Sequence, residues 1–132
     1  MVRPTRYPTE AALQAACLDG LRKLGIWGIR MGVSVRSGKR GRAQSGEPGM
    51  PDLCLPGLGW IEVKQPGETL NEDQLAWHLK AKKHGLRVKT VYNVADCLGT
   101  ANLWRDAVRS FLSDSQDWRD KWQEQQPSKS RS

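Results

Sequence analysis

The chain has 132 residues, which suits one domain with one hydrophobic core. No apolar run is long enough to span a bilayer, and no charged start leads into one, so the sequence predicts a soluble, intracellular protein without a membrane anchor. The net charge of +7 is uneven: residues 1–50 carry nine Lys/Arg against three Asp/Glu, and residues 51–132 carry twelve against eleven.

Residues 1–8, with Pro4 and Pro8, read as extended. From Thr9 the pattern turns helical, since Leu13, Ala16, Cys17, Leu21 and Leu24 recur at three- and four-residue steps. Thr9 is the expected N-cap and Gly25 the expected stop. Glu10 falls in the first turn, where a carboxylate complements the helix dipole for up to about 1 kcal/mol. Ile26 to Arg36 reads as a strand, alternating cleanly from Ile29. Residues 37–48 read as a loop on their glycines, serines and proline. Four cations, Arg36, Lys39, Arg40 and Arg42, stand at this point among glycines. Without interleaved aromatics they do not suggest a base-stacking platform; they read either as a clamp on a phosphate backbone, favoured by their place directly before Gly49-Met50-Pro51-Asp52, or as a solvated loop.

Leu53-Cys54-Leu55 and Trp60 to Lys64 read as the two strands of a hairpin. A two-residue Pro-Gly loop would splay the strands, so the loop is expected to be Pro56 to Leu58. Leu55 then faces Gly59, and Asp52 faces Glu62. Alternation places Glu62 and Lys64 on one face, with Ile61 and Val63 directed into the core. Two carboxylates that close repel unless one takes a proton or a cation lies between them. A divalent metal suits such oxygen ligands.

Downstream, Asn71 is expected to cap a helix running to about His84. Its buried stripe is expected to be Leu75, Leu79 and either Ala76 or the Lys83 stem, with Trp77 at one edge. Gln74 stands where a capping box places Glu or Gln. Leu86 to Tyr92 reads as a strand. A final helix starts at Val94 with Asp96 as cap, and carries Leu98, Leu103, Trp104, Ala107, Val108, Phe111 and Leu112. Residues 1–112 would form the domain. Residues 113–132 would be a polar tail, disordered from Gln123 and carrying an amphipathic turn at Trp118 and Trp122. Cys17, Cys54 and Cys97 lack metal-ligand spacing, as do His78 and His84, so no structural zinc is expected.

Gly49-x-Pro51-Asp52, then Glu62-x-Lys64 ten residues on, then Gln74 on a helix, resembles the PD-(D/E)xK nuclease superfamily. Within it the chain resembles the VRR-NUC (virus-type replication-repair nuclease) family, from about Glu10 to Val91. The resemblance implies an α/β fold, a mixed β-sheet flanked by helices with a restriction-endonuclease-like core. It implies a Mg²⁺- or Mn²⁺-dependent endodeoxyribonuclease whose metal is held by Asp52, Glu62, the Val63 carbonyl and, directly or through water, Glu10. Lys64 would orient the attacking water and Gln74 would hold the nucleophile or the lysine. The partners implied are DNA, branched as in four-way (Holliday) junctions, and a second copy of the chain. No membrane and no small-molecule cofactor is expected, and the setting would be the cytoplasm of a bacterium or phage-infected cell, in DNA repair. A flap or nicking nuclease, a catalytically silent DNA-binding module of the same fold, and a structural subunit docking by its Trp-rich helix are the alternatives.

Overall fold

In the computed structural model the described residues are 6–32, 35–36, 42–43, 47–114 and 116–127, with the backbone alone at 35, 36, 42, 43, 114 and 116–118. Helix α1 spans Glu10–Lys23 and starts at Thr9, whose hydroxyl accepts from the Ala12 N–H at 3.0 Å. Strand β1 (Ile29–Arg30) follows, then β2 (Val35–Arg36) and β3 (Arg42–Ala43). The hairpin of β4 (Leu53–Leu55) and β5 (Gly59–Val63) leads into α2 (Glu72–Lys83), β6 (Val88–Val91), α3 (Val94–Asp114) and α4 (Gln116–Gln125).

The main sheet has the order β1-β4-β5-β6. β1 and β5 both pair antiparallel with β4, and β6 pairs parallel with β5. A parallel neighbour needs a crossover, and α2 supplies it. The fold is therefore α/β, a mixed sheet with helices on both faces, as expected from the order of elements. On one face Leu53, Leu55, Ile61, Val63 and Val91 pack with Leu13, Cys17 and Leu21 of α1 and with Cys97 and Ala101 of α3. The opposite face carries Trp60 and Glu62 beneath Trp77 and His78 of α2. All three cysteines are free, with Cys17 and Cys97 buried and Cys54 half-buried.

Several expectations are corrected. The strand anticipated from Ile26 to Arg36 is broken: only Ile29–Arg30 joins the main sheet, because β4 offers three residues to pair with and Gly32, at φ +63, turns the chain away. Trp27 is exposed, whereas Ile26 is buried. The stretch expected as loop contains β3, paired antiparallel with β2 with Arg36 opposite Arg42.

On α2 the expected core stripe faces outward. Leu75 is 51% and Leu79 62% exposed, while His78 and Ala81 are the buried residues. Asn93, not Asp96, caps α3: its side-chain oxygen accepts from the Asp96 N–H at 2.7 Å. Of the α3 stripe, Leu98 and Trp104 pack on the core, but Leu103 and Phe111 are two-thirds exposed. α3 continues through Asp114 and α4 covers Gln116–Gln125 of the polar run, including the start of the stretch expected to be disordered, whose residues 128–132 lie outside the described residues. Among the described residues no helix is long and apolar enough to cross a membrane.

Candidate active site

Asp52 is held from both sides because it lies just before β4, between β1 and β5. Its carbonyl accepts from the Met31 N–H at 2.7 Å, and its Oδ2 accepts from the Val63 N–H at 2.8 Å. The hairpin register matches the three-residue loop: Leu55 faces Gly59 and Leu53 faces Ile61, so one step further Asp52 faces Glu62. Gly49 has a positive φ of +81, and a Cβ there would strike the Asp73 carbonyl at the start of α2. A side chain at this position would push the Pro51-Asp52 segment off the helix.

Glu62 is fully buried, at 0% exposure, although alternation alone makes it an outward polar residue. The reason is α2, which covers that face of the sheet. Trp77 packs edge-on against Trp60 with ring centroids 5.2 Å apart, and His78 Nε2 comes within 3.6 Å of Glu62 Oε1. Among the described residues neither Glu62 oxygen has a hydrogen-bond donor, and His78 Nε2 has no partner either. Burial, then the neighbouring Asp52 as hydrogen-bond partner and like charge, push the Glu62 carboxyl up to about 9, with Lys64 opposing. The two observations agree: as carboxylates both groups only accept, and once protonated Glu62 becomes a donor to Asp52. Burial, and secondarily the Lys82 charge, hold His78 below the usual histidine range.

Glu10 reaches the same neighbourhood from the first turn of α1. Burial raises its carboxyl; Lys64 opposes this, while Asp52 and Glu68 add to it. Gln74 completes a capping box: its Oε1 accepts from the Asn71 N–H at 2.9 Å and its own N–H donates to Asn71 Oδ1 at 2.9 Å. It also lines, with Asp52, Asp73 and Glu47, a polar cavity of about 400 Å³. Gln74 therefore caps α2 and also borders the cavity that Asp52 lines. The Lys64 N–H donates to the Val91 carbonyl at 3.0 Å, fixing the lysine at the end of β5. Arg36 and Arg42 are backbone partners across β2 and β3. Lys39 and Arg40 lie outside the described residues.

Sequence reasoning passes over two residues here. His78 is one; its signal is the spacing of Gln74, Trp77, His78 and Ala81, which marks a single helical face. Gln65 is the other. It is 5% exposed, and its amide grips the backbone of Tyr7, donating to the Tyr7 carbonyl at 2.6 Å and accepting from the Tyr7 N–H at 3.3 Å. This ties the segment leading into α1, and hence Glu10, to the residue after Lys64. No local pattern announces such a contact.

Among the described residues no three His, Cys, Asp or Glu side chains form a cluster able to enclose a metal ion. The donors present fit a hard cation that keeps several waters, because Mg²⁺ is commonly held by one or two carboxylates plus substrate oxygens. Two orphaned Glu62 oxygens beside Asp52, with a polar cavity on the Asp52 side, supply that pattern.

No protein-family model and no curated protein matches the chain. Among solved structures it is similar to one titled "VRR_NUC domain", 26% identical over 67% of this chain and 88% of that chain, with a TM-score of 0.49.

Proposed function

We propose that the protein is a Mg²⁺- or Mn²⁺-dependent endodeoxyribonuclease that hydrolyses phosphodiester bonds in branched DNA, four-way junctions included, and works as a homodimer. The observation that carries the reading is Glu62, buried without a donor against Asp52, with Lys64 closing the same strand. A buried carboxylate without a donor, beside a second carboxylate, costs stability, and a cation site is a use that offsets the cost. The basic first third of the chain would attract backbone phosphates to this acidic centre.

In this reading Asp52, Glu62 and the Val63 carbonyl would hold the cation, with Glu10, at the start of α1, as a further ligand, direct or through water. When bound, the cation supplies a water of lowered pKa and polarises the scissile phosphate. Lys64 would orient the attacking water and offset charge gathering on the phosphate. Gln74 has its oxygen committed to the Asn71 N–H, which leaves its amide N–H group to position the nucleophile or Lys64. Arg36, Lys39, Arg40 and Arg42 contact phosphates without reading bases.

The test is cleavage of duplex, flap and four-way junction DNA with Mg²⁺, Mn²⁺ or excess chelator, for the wild-type and Asp52→Ala proteins. The expected result is metal-dependent cleavage, strongest on junctions, that Asp52→Ala abolishes while the fold is retained. Robust cleavage in chelator would refute the metal mechanism. Tight DNA binding with no cleavage by the wild type would return the chain to a silent binding module.

A further inference from the structure

We propose that His78 is a positioning residue for Glu62, donating a hydrogen bond from Nε2 to Oε1 so that the carboxylate is held, charged and correctly turned, when a divalent cation binds. The inference rests on the metal-site reading above and extends it to α2, an element that this reading used only through Gln74. Both partners are buried, with side-chain exposures of 8% and 1%, and among the described residues neither Glu62 oxygen accepts from a donor and His78 Nε2 has no hydrogen-bond partner. Their separation of 3.6 Å is roughly half an ångström outside N–H···O contact, a gap that one small side-chain rotation closes. An imidazole can present an N–H at Nε2, while a carboxylate can only accept, so the polarity of the pair is fixed by chemistry.

The placement is held from outside the pair. Trp60 lies two residues before Glu62 on the same strand face, Trp77 lies next to His78, and the two indoles pack edge-on. That contact sets the register of α2 over β5, which keeps the imidazole over the carboxylate. Hydrogen-bonded ligating carboxylates are the ones that bind metal well, and loss of such an outer partner commonly weakens binding by about 10–100-fold.

The experiment titrates Mn²⁺ into the wild type, His78→Leu, His78→Gln and Asp52→Asn, by calorimetry and by electron paramagnetic resonance, with circular dichroism to verify folding. His78→Leu should weaken Mn²⁺ binding by about 10-fold or more. His78→Gln, which places an N–H near the same point, should restore most of the affinity; a packing role alone would not distinguish Leu from Gln in this way. The bound-Mn²⁺ spectrum should carry no coupling from a directly coordinated nitrogen. Such a coupling would overturn the proposal by making His78 a ligand. Asp52→Asn losing affinity while His78→Leu keeps it would overturn the role of His78 alone. Asp52→Asn keeping wild-type affinity would overturn the metal site, and this inference with it.

Discussion

Replacing Glu62 by glutamine is the sharpest test of the burial argument, because it removes a charge and keeps the shape. The Glu62 carboxyl stands at about 9 in the folded chain and near 4.5 when exposed. A raised carboxyl pKa means that the folded state binds the extra proton. Stability of the metal-free protein should therefore be greatest below about pH 4.5 as far as this group is concerned, and fall as pH rises towards 9. Across that window one proton's difference corresponds to about 1.4 kcal/mol per pH unit at most. Glu62→Gln removes this slope, and its amide N–H can face Asp52 as the shared proton did. At pH 8 the variant should be more stable than the wild type by roughly 3–5 kcal/mol, the linkage cost accumulated above pH 4.5 by the proton that the folded chain takes up. At pH 5 the two should nearly coincide. Urea unfolding followed by fluorescence, across pH 5–8.5 and in chelator, measures the difference directly. Parallel slopes for the two proteins would refute the reasoning. A strongly destabilised variant would show Glu62 to be a structural partner of Lys64.

Gln65→Leu should lose about 1–3 kcal/mol, because it leaves the Tyr7 backbone unpaired in a half-buried site, and should lower cleavage by displacing Glu10; thermal melting with a parallel activity assay checks both. Neutralising Lys39, Arg40 and Arg42 together should flatten the slope of log affinity against log salt by about one unit for each phosphate released, with little change in turnover at saturating DNA; an unchanged slope would free these residues of a role. The exposed Leu103 and Phe111 on α3 are the expected dimer contacts, so light scattering at micromolar concentration should show a dimer that Leu103→Asp with Phe111→Asp dissociates. A strict monomer that still cuts four-way junctions symmetrically would leave the paired-cut model without a mechanism.

The parts of this fold that can be read from the sequence are those that short-range geometry decides. The length of the Pro56-to-Leu58 loop fixes the register, and the register brings Asp52 opposite Glu62. The caps at Thr9 and Asn71 follow from local hydrogen-bond chemistry and lie where expected. What cannot be read depends on which element covers which face. Leu75 and Leu79 are more apolar than His78 and Ala81, so composition favours the wrong side of α2. The deciding contact is that of Trp77 with Trp60, between residues 17 positions apart on different elements. The same contact explains why Glu62 is buried, why His78 escapes a reading by composition, and why alternation describes only one face of the sheet. The long strand expected from Ile26 fails for a related reason: apolar alternation marks a residue as able to pair, and says nothing about how far its partner extends.

The burial of Glu62 on β5 is also what makes the site chemically consequential. A surface pair of carboxylates would swing apart into water, and its repulsion would be worth little. Glu62 has no such freedom: β5 is bonded to β4 on one side and to β6 on the other, and α2 closes the face above it. Asp52 is equally constrained, since its carbonyl and one carboxylate oxygen are both engaged by neighbouring backbone N–H groups. The two charges can be reconciled only by a proton or by a cation, and these compete for the same oxygens. Raising the pH removes the proton and leaves the cation as the remaining remedy. Stability gained by adding Mn²⁺ should therefore grow with pH over the same window in which the metal-free protein weakens. This coupling follows from backbone pairing that holds acidic side chains in place, and it needs no motion of the sheet.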